Sequence, residues 1–385
     1  MSEDSHDDQI YRSPVHVRRN QGLRRFLLSF GITFAVLYLV YFVQVPYYIY
    51  QPGTAESIKP MVQVTKPDPI ENGTFMLTTV SLIPKANVLS FLLAQWDENA
   101  EVQRKRDVLK GQSEQQYMQH QEIVMLESQS NAIQAAYKKA NVPYQLKSVG
   151  AYVAETRKGL PAAEVLKPGD MIIRIDGKPI EGIKELQAAL ADKKVGDTVE
   201  VGIKRDADEL SYSIVLADVS AATPGAAPTA SPGGAGPKAG IGVTTADMRA
   251  VVPEQADKKV QIQAGEIGGP SAGLMFALEI YNQLTPGDLS KGYRIAGTGT
   301  IDPTGNVCSI GGIQHKIVAA DREGVDVFFA PMDRKAGECG LGVDVANASD
   351  ALQKAKSIDS RMKVISVGTI GDALNYLATL PVKPS

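Results

Sequence analysis

The sequence predicts a multidomain α+β protein behind a single N-terminal transmembrane helix. Three observations carry that expectation. At 385 residues the chain exceeds what one hydrophobic core usually organises. An uncharged run, FLLSFGITFAVLYLVYFV, occupies residues 26–43. Two stretches of mixed strand and helix patterning, residues 145–217 and 239–385, are separated by DVSAATPGAAPTASPGGAGPK at 218–238, from which no core can be built.

The composition narrows the function. A net charge of −3 and sparse aromatics give no basic footprint, so nucleic acid is not expected as a partner. Two cysteines, Cys308 and Cys339, are too few for a metal cluster or a disulfide framework. They read first as two small buried hydrophobes, or as a pair if their domain lies outside the cytoplasm.

Residues 1–25 form a polar tail, acidic at Glu3, Asp4, Asp7 and Asp8, then basic at Arg18, Arg19, Arg24 and Arg25. It buries nothing and is expected to be disordered. Residues 26–43 have about the minimum length for a helix to cross the hydrocarbon core, and they are apolar all round, unlike a core helix. No small-x-small site follows, so an uncleaved anchor is expected, not a signal peptide. The arginines before the span, with no comparable cluster after it, put the N-terminus in the cytoplasm and the bulk outside the plasma membrane. Tyr38, Tyr41, Tyr47, Tyr48 and Tyr50 would form an aromatic belt at the far interface.

Residues 44–144 read as strands and then helices flanking the next module. Met61–Thr65 and Thr74–Leu82 are β-rich runs separated by Asn72-Gly73, a hairpin signal. From Asn87 to Ala140 the Gln- and Met-containing faces read as solvated helices without chemistry. Residues 145–217 form a compact α+β unit. Val149–Val153 and Met171–Ile175 are strands, Leu166–Asp170 a turn, Ile183–Leu190 a short helix, and Thr198–Lys204 and Leu210–Leu216 closing strands.

The run LPAAEVLKPGDMIIRIDGKPI within this unit resembles a PDZ domain of the bacterial, protease-associated kind. PDZ domains capture an extended peptide beside an edge strand. The resemblance implies such a groove between Gly150, Ala151, Tyr152 and Val153 and the helix Ile183–Leu190, for recruiting or gating substrate. Ser148-Val149-Gly150-Ala151 matches the carboxylate-binding loop only loosely.

Beyond the segment 218–238, read as a flexible linker, residues 239–385 form a second α+β domain. Strands fall at Val260–Gln263, Tyr293–Gly297, Val325–Ala330 and Lys363–Val367. Helices fall at Ser271–Leu284, Gln314–Arg322, Ala348–Lys356 and Ile370–Leu380.

The chemistry is expected around Gly268-Gly269-Pro270-Ser271-Ala272-Gly273 and Gly311-Gly312-Ile313-Gln314-His315-Lys316. A Ser at that position could simply cap the helix. Yet Gly269 and its neighbours let a substrate backbone approach closely, and the helix's first amides are donors for an oxyanion. Ser271 as nucleophile needs a base. Positions 313, 316, 317 and 320 share one helical face, so Lys316 sits on an apolar stripe that would keep its amine neutral, while His315 points the other way toward the surface. G-x-S-x-G also fits an α/β-hydrolase elbow, for which His315 would be the base with Asp288 or Asp302 as the acid.

Gly-Pro-Ser-Ala-Gly, then Gly-Thr-Gly-Thr-Ile-Asp, then Gly-Gly-Ile-x-x-Lys, in that order, resemble the proteolytic domain of Lon-type Ser-Lys peptidases. Anchor, PDZ-like unit and Lon-type domain together resemble membrane-anchored Lon-like proteases of Gram-positive and related bacteria. The resemblance implies Ser271 as nucleophile, Lys316 as base and Thr298 as the hydroxyl that orients the Lys. It implies peptide or protein substrates, no cofactor, no metal, and a homo-oligomeric ring. Gly268 replaces the family's Asp three residues before the Ser, and no G-x-x-x-x-G-K-[ST] motif is present, so cleavage without ATP is expected. The other readings are an inactive PDZ scaffold and the Ser-His hydrolase.

Overall fold

A computed structural model describes residues 21–67, 72–157, 159–205, 208–220, 238–265 and 267–384. Most of the polar tail, and linker residues 221–237, lie outside the described residues. Helix α1 (Gln21–Phe42) is long and apolar enough to cross a membrane, and none of its apolar window is buried in the protein.

The chain then enters a sheet. Strands β1 (Tyr47–Ser57), β2 (Val62–Val64) and β3 (Thr74–Ile83) are followed by α2 (Val88–Ala94), β4 (Glu101–Arg104), α3 (Lys105–Leu109) and α4 (Glu114–Lys139). Asn87 and Ser90 close a capping box on α2, and Ser113 and Gln116 close one on α4. Of the expected aromatic belt, Tyr38 and Tyr41 are exposed on α1, but Tyr48 is buried, because β1 already begins at Tyr47 and is paired with β4 there. The expected 61–82 hairpin does not form. The Asn72 and Gly73 amides are taken by Asp288 Oδ2 (3.1 Å) and Ser290 Oγ (3.0 Å), and β2 pairs elsewhere.

The next unit comprises β5 (Tyr144–Thr156), the short α5 (Ala162–Val165), β6 (Met171–Ile175), β7 (Lys178–Pro179), α6 (Ile183–Leu190), β8 (Thr198–Arg205) and β9 (Asp208–Val215). The pair β10 (Ala217–Asp218) and β11 (Ala239–Gly240) leads into β12 (Val243–Pro253). One sheet runs β12-β5-β6-β8-β9, with β7 beside β6. Its core gathers Ala151, Val153, Ile172, Ile175, Leu186, Val199, Val201 and Ile203. Arg205 holds the buried Asp170 through Nε and Nη2, at 2.6 and 2.7 Å. Because β10 and β11 pair, the two ends of the Ala/Pro/Gly-rich stretch are bonded to each other. The stretch therefore interrupts this unit and does not separate it from the next.

The rest of the chain supplies β13 (Val260–Ile262), α7 (Gly273–Leu284), β14 (Arg294–Gly297), β15 (Thr300–Ile301), β16 (Val307–Cys308), α8 (Ile313–Arg322), β17 (Val327–Pro331), α9 (Asn347–Ser357), β18 (Lys363–Val367) and α10 (Ile370–Thr379). Strand β13 is the partner of β2. The central sheet is ordered β18-β17-β14-β3-β1-β4, parallel from β18 to β3 and antiparallel from β3 to β4. Strands β1, β3 and β4, from the region 44–144 expected to flank the PDZ-like unit, are thus hydrogen-bonded into the C-terminal unit's sheet.

Alternation along the strands builds two cores. Phe75, Leu77, Ile295, Val327 and Phe329 face one side, in the same cluster as residues of α4, α7 and α10. Met76, Ala296, Phe328 and Ala330 face the other, with residues of α8 and α9. Burial on both faces explains why these strands read as apolar runs.

Candidate active site

Ser271 and Lys316 sit on elements packed against opposite faces of the central sheet and meet beyond the end of β14. Ser271 lies in a 3-10 turn, Pro270–Ala272, that leads into α7, and it makes no side-chain cap. The turn is entered through Gly269 at φ 87°, a left-handed conformation that glycine adopts without strain. Helix α4 clamps the turn. Ser128 Oγ donates to Pro270 O at 2.8 Å, and the Gly269 amide donates to Gln121 O at 3.0 Å. Gly273 lets the elements close: a Cβ there would fall 2.7 Å from Ser128 Oγ and 2.9 Å from Ile301 Cγ2.

Strand β14 ends at Gly297, opposite Leu77. Beyond that point the Thr78 carbonyl meets the Lys316 amine instead, at 2.9 Å. Lys316 Nζ also lies 2.8 Å from Ser271 Oγ. The lysine is 3% exposed, and burial alone holds its amine down at about 7. Its helical face reads as the sequence suggests, with Ile313, Ile317 and Ala320 all buried in the same core. A neutral amine between a carbonyl acceptor and a serine hydroxyl donates to the first and can take the proton of the second.

The Thr298 hydroxyl is fully buried and donates to the Ser271 carbonyl at 2.9 Å. It braces the Ser271 backbone, where the Lon-type resemblance implied that it would orient the lysine. His315 is buried, not at the surface: Nδ1 lies 3.1 Å from Asn99 O and Nε2 3.5 Å from Glu101. It sits at the cleft wall, but the side chain that reaches Ser271 is the lysine.

A cleft of about 720 Å³ opens over Ser271, with Tyr50, Thr79, Tyr117, Gln121, Gly269 and His315 on its walls. Three contributors escaped the sequence reading: Thr78, Gln121 and Ser128. Thr78 carries no motif, and α4 read as a solvated face although Met125 and Ser128 are buried. The cysteines, read first as separate apolar side chains, form a disulfide between Cys308 on β16 and Cys339.

The PDZ-like unit departs from expectation at its edge. Gly150, Ala151, Tyr152 and Val153 are buried, and β5 is paired on both sides, to β6 and to β12. No added peptide strand can enter beside Gly150–Val153. A cavity of about 610 Å³ lies instead along β12 and the loop before it, lined by Arg157, Leu186, Leu190, Lys193, Lys238 and Ile241. Among the described residues no cluster of His, Cys, Asp and Glu suits a metal ion.

Residues 121–216 match the PDZ domain family, and residues 264–377 match the Lon protease (S16) C-terminal proteolytic domain. The chain thus carries a PDZ domain and a Lon-type proteolytic domain in one mixed α+β architecture. Among similar proteins, the Lon protease of Aster yellows witches'-broom phytoplasma is 29% identical over 109 residues, 28% of this chain and 12% of that protein. The serine protease Do-like HtrA of Bacillus subtilis is 44% identical over 69 residues, 17% of this chain and 15% of that protein. A crystal structure of the PDZ domain of an SdrC-like protein from Listeria monocytogenes shares 30% identity at a TM-score of 0.21, covering 26% of this chain and 92% of that one. The chain spans about an eighth of the length of the Lon proteases it matches.

Proposed function

We propose that this protein is an ATP-independent, membrane-anchored serine endopeptidase that cleaves extracytoplasmic peptides or proteins with a Ser271–Lys316 dyad. The observation that carries the reading is the 2.8 Å approach of Ser271 Oγ to an amine that burial holds at about 7. Lys316 takes the Ser271 proton as Oγ attacks the substrate carbonyl, and the resulting ammonium is steadied by the Thr78 carbonyl. It then passes the proton to the leaving amine, and a water molecule hydrolyses the acyl-enzyme. The Gly269 amide is committed to Gln121, that of Gly273 to Pro270 and that of Leu274 to Gly299. The oxyanion therefore falls to the amides of Ser271 and Ala272.

The Cys308–Cys339 disulfide favours a catalytic unit in an oxidising compartment, in keeping with arginines on the other side of α1. The PDZ unit recruits substrate along the outer edge of β12, where Arg157, Lys193 and Lys238 suit a peptide carboxylate and Leu186 and Leu190 an apolar side chain. A homo-oligomeric ring, which the Lon-type resemblance implies, belongs to the same proposal and is read from the mass of the detergent-solubilised protein.

The test follows cleavage of an unstructured protein by the full chain, with and without ATP. The parent should cleave equally in both. Ser271→Ala and Lys316→Ala should each abolish cleavage while His315→Ala retains it. Activity that survives Lys316→Ala but not His315→Ala would return the site to the hydrolase reading, and an inert parent would support the scaffold.

A further inference from the structure

Helix α2 and the turn that follows it present an apolar face that the protein leaves uncovered. Leu89, Leu92 and Leu93 on α2, and Trp96 in the turn bonded back to Leu93 O, follow the i, i+3, i+4, i+7 spacing of one helical face. They are 38, 51, 56 and 87% exposed. The opposite face is satisfied: Ala94 is buried in a small cluster with Ile49 and Ala86, and Phe91 packs on the Tyr47 ring at 4.9 Å. Folding therefore gives no reason for the outer face to be apolar.

The position of α2 says what covers it. The Asn87 side chain, which caps α2, also donates to Tyr41 O in the last turn of α1, at 2.8 Å. Backbone bonds from Val45 to Ala86 and from Val88 to Val43 tie the two segments together. The uncovered face is thus fastened to the point where the apolar helix ends, next to exposed Tyr38, Tyr41 and Phe42. A short amphipathic segment carrying Leu and Trp beside a membrane span has the chemistry of an interfacial helix. Lys85 on one flank against Asp97 and Glu98 on the other leaves a net charge of −1, so the attraction is apolar and draws nothing from anionic lipid.

We infer that Leu89, Leu92, Leu93 and Trp96 form a lipid-binding face that lies in the headgroup region of the bilayer beside α1. This rests on the membrane-anchored reading of the proposed function. The consequence concerns the cleft. The chain from Trp96 to Glu101 spans at most about 17 Å, Glu101 lies on the cleft wall, and Asn99 contacts His315. An immersed α2 holds the mouth of the active site close to the membrane surface.

Trp96 is the one tryptophan of the chain, so its fluorescence reports this face alone. The full chain is reconstituted in phosphatidylcholine vesicles, with and without acyl chains brominated at shallow positions. Resistance to alkaline carbonate extraction reports insertion of α1. The expected result is a blue-shifted emission, reduced by about half or more with brominated lipid, as suits a face buried roughly 5–10 Å into the headgroup boundary. Leu92→Gln with Leu93→Gln should weaken the quenching at least about twofold and leave carbonate resistance intact.

Carbonate-resistant protein whose Trp96 is unquenched by bromine and open to acrylamide overturns the inference and spares the anchor. Trp96 shielded from both bromine and acrylamide overturns it too, in favour of a second copy covering the face. Protein released by carbonate removes the anchored reading itself.

Discussion

Replacing Lys316 by Met keeps the apolar stem and removes the amine, and its two consequences run in opposite directions. The folded site holds this amine at about 7, whereas an unfolded chain holds it near 10.5. At about 1.4 kcal/mol per pH unit, keeping the lysine in place costs the folded state on the order of 5 kcal/mol at pH 6. The sign follows from proton counting. Between about 7 and 10.5 the unfolded chain binds the extra proton, so stability of the parent rises with pH across that window and is flat below it. Met recovers the cost but leaves the Thr78 carbonyl without its donor, a loss of about 1–3 kcal/mol. The net expectation is a variant more stable by roughly 2 kcal/mol or more at pH 6, with the advantage gone near pH 10.

Calorimetry from pH 6 to 10 measures this as a rise of about 4–8 °C at the acidic end. Cleavage should fall by at least about 100-fold in the same variant, and the parent's kcat/KM should climb about tenfold per pH unit up to about 7 and then level. A Lys316→Met protein that melts below the parent at pH 6, or a rate profile flat between pH 5 and 8, would refute the buried neutral amine.

Gly273→Ala should destabilise the protein by about 1–3 kcal/mol, because the new methyl overlaps Ser128 Oγ and Ile301, and should slow cleavage by shifting Ser271; melting and initial rates check both. Thr298→Val removes the bond to the Ser271 carbonyl while keeping shape, so kcat should drop several-fold with KM little changed, at a stability loss of about 1 kcal/mol. Reducing the Cys308–Cys339 bond, or replacing both by Ser, should cost about 3.7 kcal/mol for a loop of 31 residues, read as a lower urea midpoint. Ser128→Ala loosens the clamp on Pro270 and should cost about 1 kcal/mol with a modest loss of rate.

Much of the site was legible because its parts are local. The glycines around Ser271 mark a turn that backbone must approach, and the face shared by Ile313, Lys316, Ile317 and Ala320 is fixed by helical periodicity alone. Periodicity also marked α6, α8, α9 and α10 to within a residue or so. Hairpin pairing was less legible, because Asn72-Gly73 signals a turn without naming its partners. Loop side chains of Asp288 and Ser290 took the amides that a hairpin would have left to the turn.

By itself the sequence determined the apolar span, the order of the units, the turn that carries Ser271 and the buried face that carries the lysine. Each depends on residues within a turn or two of one another. Only the tertiary structure decided that β1, β3 and α4, encoded before the PDZ unit, complete the sheet and clamp of the proteolytic unit encoded after it. It also decided that Thr78 holds Lys316, that β12 fills the edge of β5, and that the two cysteines meet. These are contacts between residues far apart in the chain, selected by which surfaces could be buried together, and no local pattern records them.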